Sequence, residues 1–337
     1  MIDPIIFGDS LITLDGYKLI NRNYYVDNKE TILDLLAKNY VGQEIFVKCH
    51  DGINSKFSGF DDFLKYCCTV IGIPCSKVTY ETINLDLDPT FNIKLMWRET
   101  FKHALDHLKL PMVPDLHNAK FIGYTIGRMT PSRLRTIYEL DKAFANDIYG
   151  EVGSNWYFGL EENKKFNDYY TEEIQWIKTK QFAPGHLPLF GLVGWEESYS
   201  EYHIIWNNFK IEIVPETDVF STYYFTEKTA RCLATGKPFV LISGANSLDQ
   251  LRKMGFKTFS PVLDESYDTA LYPYKRIKMA VQALQDLYNS PNREDLIDQM
   301  YQIAQENIKI YKAKDWWANQ IFPNNMIFAQ SKKTKSN

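Results

Sequence analysis

The sequence predicts an α/β protein made of two doubly wound lobes with a cleft between them. Three observations predict it. The chain has 337 residues, more than a typical domain of about 100 to 200 and suited to two cores. Short β-rich runs alternate with segments of helical spacing, the pattern of a parallel sheet with helices on its faces. Pro111, Pro114 and the polar residues around His117 interrupt that alternation, placing a lobe boundary near residue 118. The expected organisation is a first lobe over 1–118, a second over 119–273, and C-terminal helices with a polar tail over 274–337.

In the first lobe, residues 44–49 (EIFVKC) form a strand candidate that stops at His50, Asp51 and Gly52, and 60–69 follow with helical spacing. A second strand is expected over 77–83 and a second helix over 96–108. The second lobe opens with strand 121–126 (FIGYTI), the turn GRMTPS and a helix over 133–145. Residues 161–201, rich in Trp, Tyr and Gly, carry weak periodicity. Order returns with strand 211–214, helix 227–235 closed by Gly236, and the apolar strand 238–243. A helix over 248–254 ended by Gly255, a strand over 256–259, and long helices over 274–288 and 293–314 complete the pattern.

Composition narrows the class. At 45% hydrophobic and 15% aromatic residues the chain is expected to fold throughout. A net charge of −4 supplies no global field for nucleic acid or an anionic membrane, so a polyanion would need a local basic patch. The five cysteines, with an adjacent pair Cys67-Cys68 and no CxxC, read as reduced thiols, and that pair as small buried hydrophobes. The N-terminus lacks a signal-type pattern and no run approaches about 18 apolar residues. The expectation is a soluble, cytoplasmic protein that meets no membrane.

The chemistry concentrates in residues 210–244. Thr226 is placed to cap a helix whose first turn carries Glu227 and Lys228, so free N–H groups, the positive end of the helix dipole and an ammonium converge, as a phosphate requires. Glu227 would repel a phosphate, but it suits the hydroxyls of a ribose. Taken alone, such a pair is more often a solvated helix face. The segment resembles the donor-binding signature of the α1,3-fucosyltransferase family through Glu216, Thr226, Glu227, Lys228, Gly236, Pro238, Val240 and Gly244. A second stretch resembles the same family through Arg133, Tyr138, Leu140, Asp147, Tyr149 and Gly150.

The resemblance spans roughly residues 120–259. It implies a GT-B glycosyltransferase with two Rossmann-like lobes, in which Arg133 clamps the pyrophosphate of a nucleotide sugar, Glu227 holds the ribose and Lys228 a phosphate. Arg128 and Arg135 lie close enough to assist, and Glu216 and Thr226 complete the donor set. It further implies transfer with inversion and no metal or other cofactor. Pro215-Glu216-Thr217 departs from the family's Phe-Glu-Asn-Ser, and its Glu-Ser-Pro segment is absent, which leaves sugar and acceptor open.

A base for the acceptor hydroxyl is sought at the carboxyl ends of first-lobe strands. Asp51 is the first candidate, with His50 and Glu81 as alternates. The acceptor is a glycan or, for a phage member acting in a host cytoplasm, a hydroxymethylated base in DNA, which would have to leave the stack. Lys309, Lys312, Lys314 and the tail would then track phosphates. A nucleotide-sugar-binding protein without catalysis is the remaining alternative. His103 and His107 read as a helix-surface pair, Asp86 and Asp88 as a loop, and Trp316 and Trp317 as packing residues.

Overall fold

A computed structural model describes residues 5–8, 12–14, 17–19, 29–49, 60–82, 90–95, 108, 114–126, 129–152, 171–179, 202–216, 219 and 225–313. His50, Asp51, Asp86, Asp88, His103, His107, Arg128, Lys314, Trp316 and Trp317 lie outside these. The described elements fall into two compact units, one within Met1–Arg98 and one within Glu99–Gln320.

The first unit is a sheet of strands β1 (Ile5–Gly8), β2 (Ile12–Leu14), β3 (Tyr17–Leu19), β4 (Ile45–Cys49), β5 (Val78–Thr82) and β6 (Asn92–Leu95), ordered β3-β2-β1-β4-β5-β6. β1, β4, β5 and β6 are parallel, and β2 and β3 extend the sheet as an antiparallel meander. Helices α1 (Lys29–Asn39) and α2 (Phe60–Ile71) pack together. In α2 the helical spacing works as the sequence implies. Phe63, Leu64, Cys67 and Cys68 are buried while Tyr66 and Val70 face solvent. Burial pushes the Cys67 and Cys68 thiols up to about 11 and about 12, so they stay protonated at neutral pH.

The second unit is built on β7 (Lys120–Ile126), β8 (Ile148–Val152), β9 (Phe209–Pro215) and β10 (Phe239–Ile242), all parallel and ordered β10-β9-β7-β8. Helix α3 (Pro131–Phe144) joins β7 to β8, and α4 (Thr171–Thr179) and α5 (Tyr202–Ile205) lie between β8 and β9. Helix α6 (Glu227–Thr235) links β9 to β10, and α7 (Ser247–Lys253), α8 (Pro273–Tyr288) and α9 (Arg293–Lys312) follow. α8 packs on α3 and β10, and α9 on α6. Gly236 closes α6 at φ 70°, and a Cβ there would run into Ile308 and Gln305 of α9. Glycine therefore serves both the left-handed turn and the close approach.

The expected α/β class with parallel sheets is what the structure has. Among the described residues one expected element is absent, and the helix expected over 96–108 lies outside them but for residue 108. Residues 256–259 are not a strand, because side chains satisfy their backbone. Asn307 accepts from Lys257 N at 2.8 Å and donates to Lys257 O at 2.9 Å, while Glu265 accepts from Phe259 N at 2.6 Å. No helix among the described residues is long and apolar enough to cross a membrane.

Candidate anion-binding site at the switch point of the second sheet

The strand order places the site. From β7 the chain moves outward to β8, then returns to the other side of β7 to lay down β9 and β10. The connections leaving the carboxyl ends of β7 and β9 therefore diverge to opposite sides, and the crevice so formed is where open α/β sheets bind ligands. The connection after β7 leads into α3 and the one after β9 into α6. The N-termini of both helices thus stand at this switch point.

Each N-terminus is capped by threonine. Thr130 Oγ accepts from Arg133 N at 3.4 Å and Thr226 Oγ from Lys228 N at 3.3 Å. Pro131 opens α3, a position that needs no backbone donor. The Arg133 side chain is 2% exposed, and its Nε donates to Pro215 O at 3.0 Å, at the last residue of β9. The guanidinium of one helix is thereby tied to the strand that feeds the other.

The next residue, Glu216, is fully buried and staples that strand to α6. Its Oε1 accepts from Thr226 N at 2.8 Å and Thr229 Oγ at 2.7 Å, and its Oε2 from Thr226 Oγ at 2.5 Å. Arg133, Pro215, Glu216 and Thr226 form one contact chain, so the structure brings Arg133 and the start of α6 to the same strand end. Lys228 Nζ sits 2.5 Å from Glu227 Oε1 and 3.4 Å from Thr226 Oγ. Burial opposes ionisation of Glu227, yet the adjacent ammonium outweighs it and holds the carboxyl at about 2.

One turn deeper lies a buried ionic hub on which the sequence reading placed no weight. Arg231 of α6 pairs with Glu212 of β9 and bonds Thr125 Oγ of β7, so this single guanidinium fastens the helix to both strands of the switch point. Glu212 also accepts from Tyr202 Oη, and from Cys232 Sγ at 3.2 Å. Arg231 stacks over the Tyr202 ring at 4.6 Å. Burial disfavours the Arg231 charge, but Glu212 reverses this and raises its pKa. A charged residue inside the apolar run KIEIVP was the visible signal for this hub.

Arg276 of α8 is a second buried anchor that sequence reasoning missed. Its Nη1 donates to Val219 O at 3.0 Å and to Ser243 O, and its Nη2 to Ala270 O at 2.6 Å and Leu271 O at 3.4 Å. It ties the connection after β9 and the end of β10 to the approach to α8. Arg135 turns away from this role. Its guanidinium is taken by Glu139 at 2.7 Å and by Glu173 of α4, so it docks α4 on α3 and does not serve the site.

In the first unit, Glu81 lies in β5 in register with Lys48 of β4, close to the carboxyl ends of both strands. Lys309 and Lys312 are exposed on α9.

No protein-family profile matches the chain, and no curated protein matches it. Among solved structures it is similar to an α,α-trehalose-6-phosphate synthase from Burkholderia multivorans, with a TM-score of 0.42, 9% sequence identity, and coverage of 88% of this chain and 74% of that one.

Proposed function

We propose that the second unit binds a nucleotide sugar at its switch point and that the protein transfers the sugar to an acceptor hydroxyl. The observation that carries this reading is the convergence of two capped helix N-termini with Arg133, Lys228 and Glu227 at the carboxyl ends of adjacent parallel strands. Two helix ends and two cations suit a diphosphate. The ionised Glu227 on its flank suits the vicinal hydroxyls of a ribose. Glu216 and Thr226 act by positioning α6, since their side chains are spent on one another.

In this reading the acceptor oxygen attacks the anomeric carbon, the bond from that carbon to the diphosphate oxygen breaks with inversion, and the nucleoside diphosphate leaves. Arg133, Lys228 and the helix N–H groups take up the charge that develops on the leaving group, so the step is assigned no metal. The acceptor proton passes to a base, for which Asp51 is the first candidate and His50 and Glu81 are the alternates.

The test is a panel of nucleotide sugars offered with glycan acceptors and with hydroxymethylated DNA, scoring nucleotide release and product mass. Sugar-dependent release with a glycosylated product supports the reading, and the productive acceptor names the substrate class. Tight nucleoside diphosphate binding without transfer to any acceptor would leave a binding protein. Absence of both binding and release would overturn the reading altogether.

A further inference from the structure

Glu151, the penultimate residue of β8, stands out among the buried acids of the second unit. It is 5% exposed and its Oε1 accepts from Tyr149 Oη, but its Oε2 is buried without a hydrogen-bond partner. A buried carboxylate oxygen without a donor is costly, because it has given up its hydration with nothing in return. Two other buried glutamates of the second unit are treated differently. Glu212 and Glu216 each collect at least three donors.

Glu151 pairs in register with Thr125, the residue of β7 that touches Arg231 beneath the switch point. It therefore stands at the carboxyl end of the strand flanking β7 on the side away from β9. In doubly wound sheets that bind dinucleotides, an acid at the end of the second strand reaches ligand hydroxyls, so this spot is within a ligand's reach. Gly150 beside it lets the Tyr124 hydroxyl lie against the strand, and a Cβ there would collide with it.

We propose that Glu151 is a ligand-contacting residue whose Oε2 accepts a hydroxyl of the transferred sugar. This rests on the nucleotide-sugar reading above. If Arg133 and Lys228 hold the diphosphate at β7 and β9, and Glu227 holds the ribose on the α6 side, the remaining end of the ligand extends toward β8. A neutral polyol suits the site, because its O–H groups satisfy a carboxylate without bringing in a second charge. An anionic group would be repelled.

Calorimetry with UDP and GDP and their hexose conjugates tests this on the intact chain. The quantity read is the ratio of the Kd of the diphosphate to the Kd of the matching nucleotide sugar. In the native protein the sugar strengthens binding, and Glu151→Gln is expected to shrink that ratio roughly ten- to hundredfold, the worth of a hydrogen bond to a charged group, while leaving the diphosphate Kd within about threefold. Should Glu151→Gln fail to fold, judged by its melting curve, monodeoxy sugar donors on the native protein decide. Loss of the increment at one or two hydroxyls supports the contact. Equal binding of every deoxy analogue overturns it, as does a native protein that gains nothing from the sugar. Parallel loss of diphosphate and sugar-nucleotide affinity in Glu151→Gln would instead put the ribose at Glu151 and overturn the proposal. Failure of the native protein to bind any nucleoside diphosphate would mark the failure of the underlying reading.

Discussion

Removing the Lys228 ammonium should harm diphosphate binding in two separable ways. The side chain is 8% exposed and its Nζ lies 2.5 Å from Glu227 Oε1. As a charge-assisted donor to a phosphate oxygen it contributes about 1.5–3 kcal/mol. Lys228→Ala also unmasks Glu227. At about 8 Å from a phosphate and an effective dielectric of about 20 to 40, the uncovered carboxylate repels it by about 1–2 kcal/mol. Together these predict a loss of about 2.5–5 kcal/mol, or roughly a hundred- to several-thousandfold in Kd. Nucleoside affinity should change little. Measured with a 2′,3′-dideoxynucleoside diphosphate, which makes no ribose contact with Glu227, the double variant Lys228→Ala with Glu227→Gln lacks the repulsion and should recover about tenfold of the loss. The Glu227 carboxyl, held at about 2 in the native protein, should titrate higher once its ammonium is gone. Calorimetry with a nucleoside diphosphate and its nucleoside, and carboxyl titration by NMR, measure all three quantities. Equal losses for both ligands, or no recovery in the double variant, would refute the phosphate role.

Glu227→Gln alone should weaken binding of ribonucleotides while sparing their 2′,3′-dideoxy analogues, and equal effects on the two would remove the ribose assignment. Transfer should persist in EDTA, because the proposed clamp is made of side chains and helix amides; a complete loss restored by a divalent ion would move Asp86 and Asp88 to the centre. Asp51→Asn should nearly abolish transfer with donor Kd unchanged, since a base acts only in the transition state, and persistent turnover would pass the role to His50 or Glu81. Burial pushes the Lys237 ammonium down from its ordinary 10.5 to about 7, against the opposing pull of Glu212. Between those values the unfolded chain holds a proton that the folded chain has released, so stability should rise with pH, by at most about 1.4 kcal/mol per unit. Urea midpoints at pH 7, 8 and 9 should show that rise, and Lys237→Met should flatten it.

Much of the second unit was legible because its signals are local. The apolar runs of β7, β9 and β10, the threonine caps at 130 and 226 and the glycine at 236 act within a few residues of themselves. What escaped depends on partners far along the chain. The segment 256–259 has strand composition, yet its hydrogen bonds go to Asn307 and Glu265, and no periodicity encodes that choice. Arg276 likewise serves carbonyls from Val219 to Leu271, and its spacing on α8 shows only that it faces inward. Arg133 was singled out only through the family resemblance, as the arginine in the first turn of the helix after β7. Arg135, two residues on, was expected only to assist, and Glu173 of α4 occupies it, a partner that its own position on the helix does not reveal.

The arrangement of β9 against α6 bears on how such a site would work. Glu212 and Glu216 are four residues apart on the strand, and each takes donors from the helix: Arg231 and Cys232 at the lower level, Thr226 and Thr229 at the upper. Two buried carboxylates at two levels fix the helix in both height and rotation. Each also carries a desolvation cost that an apolar contact would avoid. A fold that needed only stability could pack that interface with leucine and valine. Retaining two charges there is understandable if the orientation of the α6 N-terminus is what matters. A phosphate then meets N–H groups and an ammonium already in place, with little ordering entropy to offset. It follows that isosteric Glu212→Gln, which weakens the tie to Arg231 without removing the side chain, should lower diphosphate affinity even though residue 212 lies a full turn below the proposed ligand. If affinity held while thermal stability fell, the hub would be structural alone.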